Sequence, residues 1–291
     1  MPASSASFAI LPANLPNVIL LGVAETLYGV SPTYAAYLLL HFPILGVLYA
    51  LLLAELICRL FPDRPRDRET TLETLPPWSA AERRLLGIMV VALLLWATDS
   101  QHGVAPGWVA LTAAVACLMP GLGVLDVRSF ETAISFGVFF YVAGMLGMVS
   151  LIGASGLAAA LGEVADRWLP VAADAPFRNF AVLVGAASLI ALVTAHPGVP
   201  AVLGPLAGSI ADTTGLSLIA VLMTQIVGFS AMLFPYQSAP VMVAIQLAGV
   251  GLGAATRLSL LLGSPACLPL VALARRPELT ARTGPNCCNA T

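Results

Sequence analysis

The sequence predicts an all-α membrane protein whose chain crosses the bilayer several times. Apolar residues occupy 59% of the 291 positions and charged residues only 10%, whereas a soluble domain has roughly 25% charged residues. Several stretches approach the length of about 20 apolar residues that a helix needs to cross the hydrocarbon core. The net charge of −2 gives no electrostatic argument for nucleic acid, so the expected surroundings are a lipid bilayer and no nucleic acid.

Two short polar windows that contain prolines interrupt the apolar stretches. The first window is residues 11–17, Leu-Pro-Ala-Asn-Leu-Pro-Asn, and the second window is residues 234–240, Phe-Pro-Tyr-Gln-Ser-Ala-Pro. Proline removes a backbone donor and clashes with the preceding turn, so each window is expected to unwind its helix. Unwound backbone at membrane depth is tolerated only where it faces protein or a water-filled cavity. Paired, proline-interrupted apolar segments are typical of the substrate site of a secondary transporter.

Residues 5–84 contain the first window and an arginine-rich loop. Residues 5–30 form a broken membrane segment, and residues 34–60 are long enough to cross with some tilt. Residues 62–84 hold five arginines with acidic residues between them. Short loops rich in arginine stay in the cytoplasm, so this loop is placed inside and residues 34–60 run from outside to inside.

Helical crossings and one interfacial helix are predicted next, each from an apolar run between short polar turns. Residues 99–103 are expected to be a short outer loop, and residues 156–169 an amphipathic helix along the outer interface. The predicted crossings are residues 85–98, 108–120 and 133–152.

A break at residues 194–200 predicts a re-entrant hairpin near residues 179–212. Its apolar arms, residues 179–193 and 201–210, are each too short to span comfortably. Residues 216–248 then cross inward and are interrupted by the second window. After a glycine-rich turn at residues 249–257, residues 258–273 cross outward and lead to a polar tail, residues 276–291. If the hairpin spans instead, the tail lies inside.

The windows carry a resemblance to a known family. Pro16-Asn17 followed by aliphatic residues is similar to the first kink, Gly-Thr-Pro-Pro-Asn, of the divalent anion:sodium symporter family, and Asn14 stands roughly where its Thr lies. Residues 235–240 resemble the second kink of that family. Residues 78–84, followed by Trp96 and Gly103, resemble the linker and helix that open its second repeat. The chain therefore resembles the C-terminal portion of this family, which carries dicarboxylates, citrate or sulfate.

The resemblance implies an inverted-repeat transporter fold with a re-entrant hairpin, two discontinuous helices and an incomplete first repeat. Residues 1–61 correspond to the last two helices of the first repeat, residues 62–84 to a cytoplasmic basic loop, and residues 85–275 to the second repeat. The opening helices and hairpin of the first repeat have no counterpart. An internal start, a truncated gene and half of a split transporter are the alternatives. The resemblance implies a homodimer, and a partner chain that supplies the missing helices is the other expectation.

The side chains around the breaks suit an anion and a cation. Half-helix N-termini present free N–H groups and a positive dipole end, and amide oxygens at unwound backbone can ligate sodium. The alternative is that neighbouring helices simply satisfy the kinks. The family's hairpin tip reads Ser-Asn-Thr, whereas residues 195–197 here read Ala-His-Pro, so His196 is a candidate for proton coupling. A sodium ion is expected near Asn17, Gln237 and Ser238 unless a proton is the coupling ion. The predicted substrate-binding residues are Asn14, Pro16, Asn17, Thr194, His196, Tyr236, Gln237, Ser238 and Pro240.

Other ionisable residues in apolar segments are weaker candidates. Glu25 either faces the bundle interior or already lies at the outer interface, and Glu55 lies near the cytoplasmic end. His41 and His102 are expected at the membrane edges. The sequence has no Asp-rich pair, no His-Glu metal spacing and no Gly-rich phosphate loop, so we expect no enzyme and no cofactor other than a coupling ion.

These patterns together predict secondary active transport of small divalent anions coupled to a cation. The alternative is a non-transporting or partner-dependent membrane subunit from a truncated or split gene. The expected location is the bacterial cytoplasmic membrane.

Overall fold

The structure, a computed structural model, describes residues 7–60, 77–121, 124–126, 128, 130–131, 136–173 and 175–263. The described residues form helices and short helical turns, with no β-strand among them. The helices are α1 Leu15–Tyr28, α2 Tyr34–His41, α3 Tyr49–Leu60, α4 Ala80–Ala97, α5 Asp99–His102, α6 Pro106–Leu118, α7 Phe136–Ala154, α8 Leu157–Trp168, α9 Pro176–Thr194, α10 Gly198–Leu203, α11 Ala207–Thr214, α12 Leu218–Ser230, α13 Ala239–Ala248 and α14 Leu252–Gly263.

Among the residues that the structure describes, three helical segments are long and apolar enough to cross a membrane, judged by length and composition. They are Tyr34–Arg59, Phe136–Ala154 and Pro176–Thr194. The helices α1, α6, α12 and α13 are apolar but shorter. The predicted all-α membrane class is confirmed. The inverted repeat, the domain boundaries and the re-entrant path of the hairpin stay predictions.

The first window is unwound, as predicted. Ser7–Ala9 and Leu11–Ala13 form two 3₁₀ turns, and an α-helix begins only at Leu15. Pro16 lies in the first turn of α1, where its missing N–H would have no helical partner in any case. Gly29, with φ of +65°, ends α1 in the left-handed conformation that glycine accepts without strain.

The predicted crossing at residues 34–60 is helical throughout its length, with a wide turn in its middle. Phe42–Leu48 is a π-helical segment between α2 and α3. Pro43 has no N–H to donate and displaces the preceding turn, which accounts for the wider winding here. The ring of Phe42 lies over Gly46, where a Cβ atom would be only 2.8 Å from it.

The helices α4 and α6 form an antiparallel pair joined by the short helix α5. Ser79 and Glu82 cap the start of α4 reciprocally, with the Ser79 N–H donating to the Glu82 carboxylate over 2.7 Å. Residues 99–102 of the predicted loop form one turn of helix, which Gly103 ends. Buried Asp99 in this turn accepts a hydrogen bond from the backbone N–H of Tyr34. This contact ties the α4/α6 pair to the start of α2.

The helices α9, α10 and α11 form the predicted hairpin. Asn179, near the start of α9, donates to the carbonyl of Thr214 at the end of α11 over 3.5 Å. The start of the first arm and the end of the second arm therefore lie together at one end of the hairpin. Residues 195–197, called the tip below, lie at the other end. The first arm has 19 residues rather than the 15 expected, and the prediction that it is too short to span is wrong. The second arm breaks at Gly204 and Pro205, between α10 and α11.

The helix α12 runs beside α9 in the same direction. The Ser188 hydroxyl donates to the carbonyl of Gly228 over 2.9 Å, and a Cβ atom on Gly228 would lie 2.3 Å from that of Ala187. The chain then unwinds through the second window and re-forms a helix at Ala239. The predicted turn at residues 249–257 is partly wrong, because α14 already begins at Leu252.

A hydrophobic core joins the first part of the described chain to the hairpin and α12. It contains residues from the 3₁₀ turns, α1 and α2 together with residues from the hairpin and α12. Phe8 contacts Phe229 with ring centroids 5.6 Å apart, so the first window's segment is packed directly against α12. This packing brings the two windows to the same region of the molecule.

Candidate functional site

The two windows and the tip line one cavity of about 770 Å³. The first window supplies its α1 start, the second window its α13 start, and α7 closes one side with Val138 and Tyr141. The lining residues are Ser7, Ala13, Asn14, Leu15, Pro16, Val138, Tyr141, Ala195, His196, Pro197, Tyr236, Gln237, Ser238, Ala239, Pro240, Val241 and Ala244.

Two helix N-termini begin at this cavity. Leu15 and Pro16 start α1, and Ala239 and Pro240 start α13, and all four residues line the cavity wall. The first turn of a helix carries N–H groups without helical partners and the positive end of the helix dipole. Among the lining residues, none is an arginine, aspartate or glutamate. Apart from His196, the lining side chains are uncharged, so the electrostatic attraction of an anion to this cavity would rest mainly on the helix dipoles.

The first window contributes Asn14 and Pro16. The Asn14 amide donates to the Ser7 hydroxyl over 2.8 Å, which holds the side chain between the first 3₁₀ turn and the cavity. Asn17, also predicted to bind substrate, does not line the cavity. Its amide nitrogen donates to the carbonyls of Phe8 and Ile10 over 3.1 and 3.2 Å, so it fastens the 3₁₀ turns to α1.

The second window contributes Tyr236, Gln237, Ser238 and Pro240. The Gln237 side-chain oxygen accepts hydrogen bonds from two unwound backbone N–H groups, those of Leu233 and Phe234, each over 2.8 Å. Its amide nitrogen is buried and has no hydrogen-bond partner among the described residues. Gln237 thus stabilises the break with one end of its amide and leaves the other end in the cavity wall.

The tip approaches the second window closely. The backbone N–H of His196 lies 3.4 Å from the carbonyl of Gln237, and the Tyr236 hydroxyl donates to the carbonyl of Leu192 over 2.5 Å. The His196 ring contacts Phe8 edge-on, with centroids 5.3 Å apart, and its Nε2 is buried without a partner among the described residues. His196 therefore contacts the second window and the 3₁₀ turn that precedes the first window.

Ala195 at the tip has a backbone conformation that is unusual for a residue with a Cβ atom. Its φ is +61° and its ψ is 174°, a region that is essentially reserved for glycine. Such strain typically costs about 1–3 kcal/mol and clusters at ligand clamps and switch regions. The strained residue lines the cavity beside His196.

Several predicted residues lie outside the cavity. Thr194 is exposed, and its hydroxyl donates back to the carbonyl of Ile190 over 2.9 Å. The three residues predicted around sodium are not together on the lining, because Asn17 lies apart from Gln237 and Ser238. Glu25 is exposed rather than interior, and His41, expected at a membrane edge, is fully buried with its Nδ1 3.1 Å from the carbonyl of Tyr37.

The remaining ionisable candidates are exposed. Glu55 pairs with Arg59 over 2.6 Å. The His102 ring lies 2.9 Å from the carbonyl of Leu95, near the end of α4, and its position at a membrane edge stays a prediction.

Three functional positions were missed by the sequence reasoning. Ser7 and Tyr141 line the cavity, although Ser7 precedes the first window and Tyr141 is a single polar residue in an otherwise apolar helix. Tyr28 lies away from the cavity but holds the hairpin: its hydroxyl donates to the carbonyls of Gly204 and Pro205 and accepts from the N–H of Gly208. The sequence offered one indication of this role, a tyrosine at the end of an apolar helix. It gave no indication of the hydrogen-bond partners, because these lie about 176 residues further along the chain.

The fold and the site together define a helical membrane protein in which two discontinuous helices meet at a shared cavity. The chain belongs to the family described as the sodium:sulfate symporter transmembrane region, whose model matches residues 1–263. The resemblance predicted from the two windows is therefore confirmed.

Relatives in this family come from enteric bacteria. L-tartrate/succinate antiporters of Shigella dysenteriae serotype 1 (strain Sd197) and of Escherichia coli (strain K12) are each 27% identical to this chain over 165 residues. Each match covers 54% of this chain and 33% of the relative. The matched part of the chain thus spans about a third of the length of these relatives.

Proposed function

We propose that this chain takes part in secondary active transport of small divalent anions, of the dicarboxylate or sulfate type, coupled to a cation. The observation that carries the proposal is the cavity of about 770 Å³ that both windows and the tip line together. Its size lies within the range of about 300–1,000 Å³ of small-molecule sites. Family membership and the relatives named for tartrate and succinate support an anionic substrate.

The donors in the cavity wall suit an anion. Gln237 Nε2 and His196 Nε2 are buried without protein partners among the described residues, and an unsatisfied buried polar group costs about 1–3 kcal/mol. An anionic oxygen at the two helix N-termini would meet favourable dipoles, and either nitrogen would donate to it after its side chain turned toward the cavity. Neutral donors bind the substrate without the cost of a fixed charge in the membrane.

The coupling ion is proposed to be sodium or a proton. Sodium would take oxygens of the second window, with Gln237 and Ser238 as its nearest candidates, whereas a proton would reside on His196. Uptake driven by a sodium gradient that survives the His196→Gln substitution would assign the coupling to sodium. Uptake driven by a pH gradient alone, and lost in His196→Gln, would assign it to the proton.

The substrate proposal is tested by uptake into proteoliposomes with labelled succinate and sulfate. Gln237→Glu keeps an acceptor for the N–H groups of Leu233 and Phe234 but places a carboxylate where the donor was. Because like charges at a binding site cost several kcal/mol, uptake should fall more than tenfold. Gln101→Glu, at an exposed position in α5, is the matched control and should retain uptake. Normal uptake by Gln237→Glu would contradict the proposal.

Exchange of one dicarboxylate for another is a second candidate mode, favoured by the relatives' name of antiporter. Succinate loaded inside the vesicles should then stimulate uptake with no ion gradient present. The partner-dependent alternative has its own outcome: thermal stabilisation of the detergent-solubilised chain by succinate or sulfate without any uptake. Such binding without transport would assign this chain the substrate site and a partner the missing helices.

A further inference from the structure

The antiparallel helices α4 and α6 enclose a groove that shares no lining residue with the cavity between the two windows. Its volume is about 400 Å³. Thr112 is polar, but its hydroxyl donates to the carbonyl of Trp108 in its own helix over 2.8 Å, so the groove interior is apolar. The lining residues are Arg84, Gly87, Ile88, Val91, Ala92, Leu95, Val109, Thr112, Ala113 and Ala116.

The groove lies between two exposed tryptophans. Trp78, just before α4, is 61% exposed, and Trp108, in the first turn of α6, is 65% exposed. They lie at opposite ends of the pair, because Trp96 near the end of α4 donates to the carbonyl of Pro106 over 3.1 Å. Exposed tryptophans mark the two membrane–water interfaces. Leu94 and Leu111 point outward beside the groove, so its walls belong to the lipid-facing surface.

The width of the groove suits an acyl chain and not a helix. The α4 side runs from Arg84 to Leu95, and eleven steps of 1.5 Å per residue give about 16 Å. A volume of about 400 Å³ over about 16 Å gives a mean cross-section of about 25 Å². A helix with side chains is at least about 10 Å across, which corresponds to about 80 Å². The groove is therefore too narrow to enclose a whole helix, and an extended acyl chain is the occupant that its dimensions suit.

Arg84 lies at one end of the groove, on the side of Trp78. One guanidinium N–H donates to the carbonyl of Gly121 over 3.0 Å, which holds the side chain at the mouth. Guanidinium groups bind phosphate oxygens well, and basic positions between membrane helices on the cytoplasmic side bind anionic head groups. Neighbouring Glu82 is held by the capping box with Ser79. The charge at the mouth is therefore complementary to an anionic lipid.

We propose that the groove between α4 and α6 is a binding site for an anionic phospholipid, with one acyl chain along Gly87 to Leu95 and the phosphate at Arg84. The apolar wall of the groove would contact the acyl chain, and the guanidinium would contact the phosphate at the interface. This division matches the apolar tail and the charged head of a phospholipid. This inference stands independently of the proposed transport function.

The test uses native mass spectrometry of the full chain in detergent, titrated with phosphatidylglycerol and with phosphatidylcholine of the same acyl chains. Phosphatidylglycerol should bind about tenfold more tightly, the lower end of what a charge-assisted hydrogen bond contributes. Arg84→Gln should remove that preference, and Ala113→Phe, which fills the groove, should weaken both lipids about tenfold.

Matched controls lie beside each test position. Arg83→Gln removes an arginine that does not line the groove, and Ala114→Phe adds the same ring to the exposed face of α6. Both should bind phosphatidylglycerol as the unmodified chain does. Equal affinity for the two lipids, or equal losses in Arg83→Gln and Arg84→Gln, would overturn the head-group assignment. Unchanged lipid binding by Ala113→Phe, or a dimer whose formation displaces the lipid, would show that the groove is not the lipid-binding site.

Discussion

Replacing Tyr28 by phenylalanine removes one hydroxyl that serves three backbone groups at the break in the hairpin's second arm. The Tyr28 hydroxyl donates to the carbonyls of Gly204 and Pro205 over 2.9 and 3.0 Å and accepts from the N–H of Gly208 over 3.1 Å. Gly208 lies in the first turn of α11, where its N–H has no helical partner. Phenylalanine preserves the ring packing against Gly208, so the variant isolates the hydrogen bonds.

The expected loss in the free energy of unfolding is about 1–3 kcal/mol. One hydroxyl proton is shared by two carbonyls, so the count is nearer two hydrogen bonds than three. Hydrogen bonds between membrane helices contribute about 0.6 kcal/mol on average and at most about 1.7 kcal/mol. Twice that range gives the expected loss.

The assay is equilibrium unfolding of the purified chain in mixed micelles, titrated with sodium dodecyl sulfate and followed by circular dichroism. Tyr141→Phe is the matched control, because the Tyr141 hydroxyl makes no hydrogen bond with the described residues and lies on the cavity wall. A change below about 0.5 kcal/mol in Tyr28→Phe, the level of an ordinary surface substitution, would refute the role of Tyr28.

Two further predictions concern backbone fit and use the same unfolding titration. Ala195→Gly should raise the free energy of unfolding by about 1 kcal/mol, because glycine adopts the positive φ of the tip without strain; a loss of stability would mean that the tip carries no such strain. Gly228→Ala should lower it by about 1–3 kcal/mol, because the new Cβ would lie 2.3 Å from that of Ala187. Gly185→Ala has open space around its Cβ and the same gain in helix propensity, so equal effects at the two positions would contradict the close packing of α9 and α12.

The positions of the breaks could be predicted from the sequence because proline acts locally. Pro12 and Pro16 place the start of α1, and Pro235 and Pro240 bracket the second unwound segment. The same locality explains why Asn14, Gln237 and their neighbours were found: they lie within a residue or two of a break, where side chains must satisfy free backbone groups.

The orientation of side chains next to the breaks could not be predicted. Asn17 follows Asn14 by three residues, but the chain changes from a 3₁₀ turn to an α-helix between them, so a helical period does not give its direction. Asn17 points back to the carbonyls of Phe8 and Ile10 and not into the cavity. Thr194 likewise ends a regular helix and bonds to its own preceding turn.

Long-range packing produced the other differences. His41 lies mid-chain in a long apolar helix, and its burial depends on the hairpin core that forms from residues far along the sequence. The length of α9 was underestimated because the arm was counted from Asn179, whereas the helix begins at Pro176, a residue well suited to the first turn of a helix.

The prolines at the starts of α1 and α13 affect how firmly the positions of the two helix N-termini at the cavity are fixed. Pro16 and Pro240 fix φ near −65° through a covalent ring, without any hydrogen-bond partner. The starting residue of each helix is thereby independent of lipid composition, ionic strength and pH. A helix end held by side-chain caps can fray by a residue and shift its free N–H groups, whereas these two ends have a register set by bond geometry. The proline rings accordingly restrain the spacing of the backbone donors at the cavity before any tertiary contact forms.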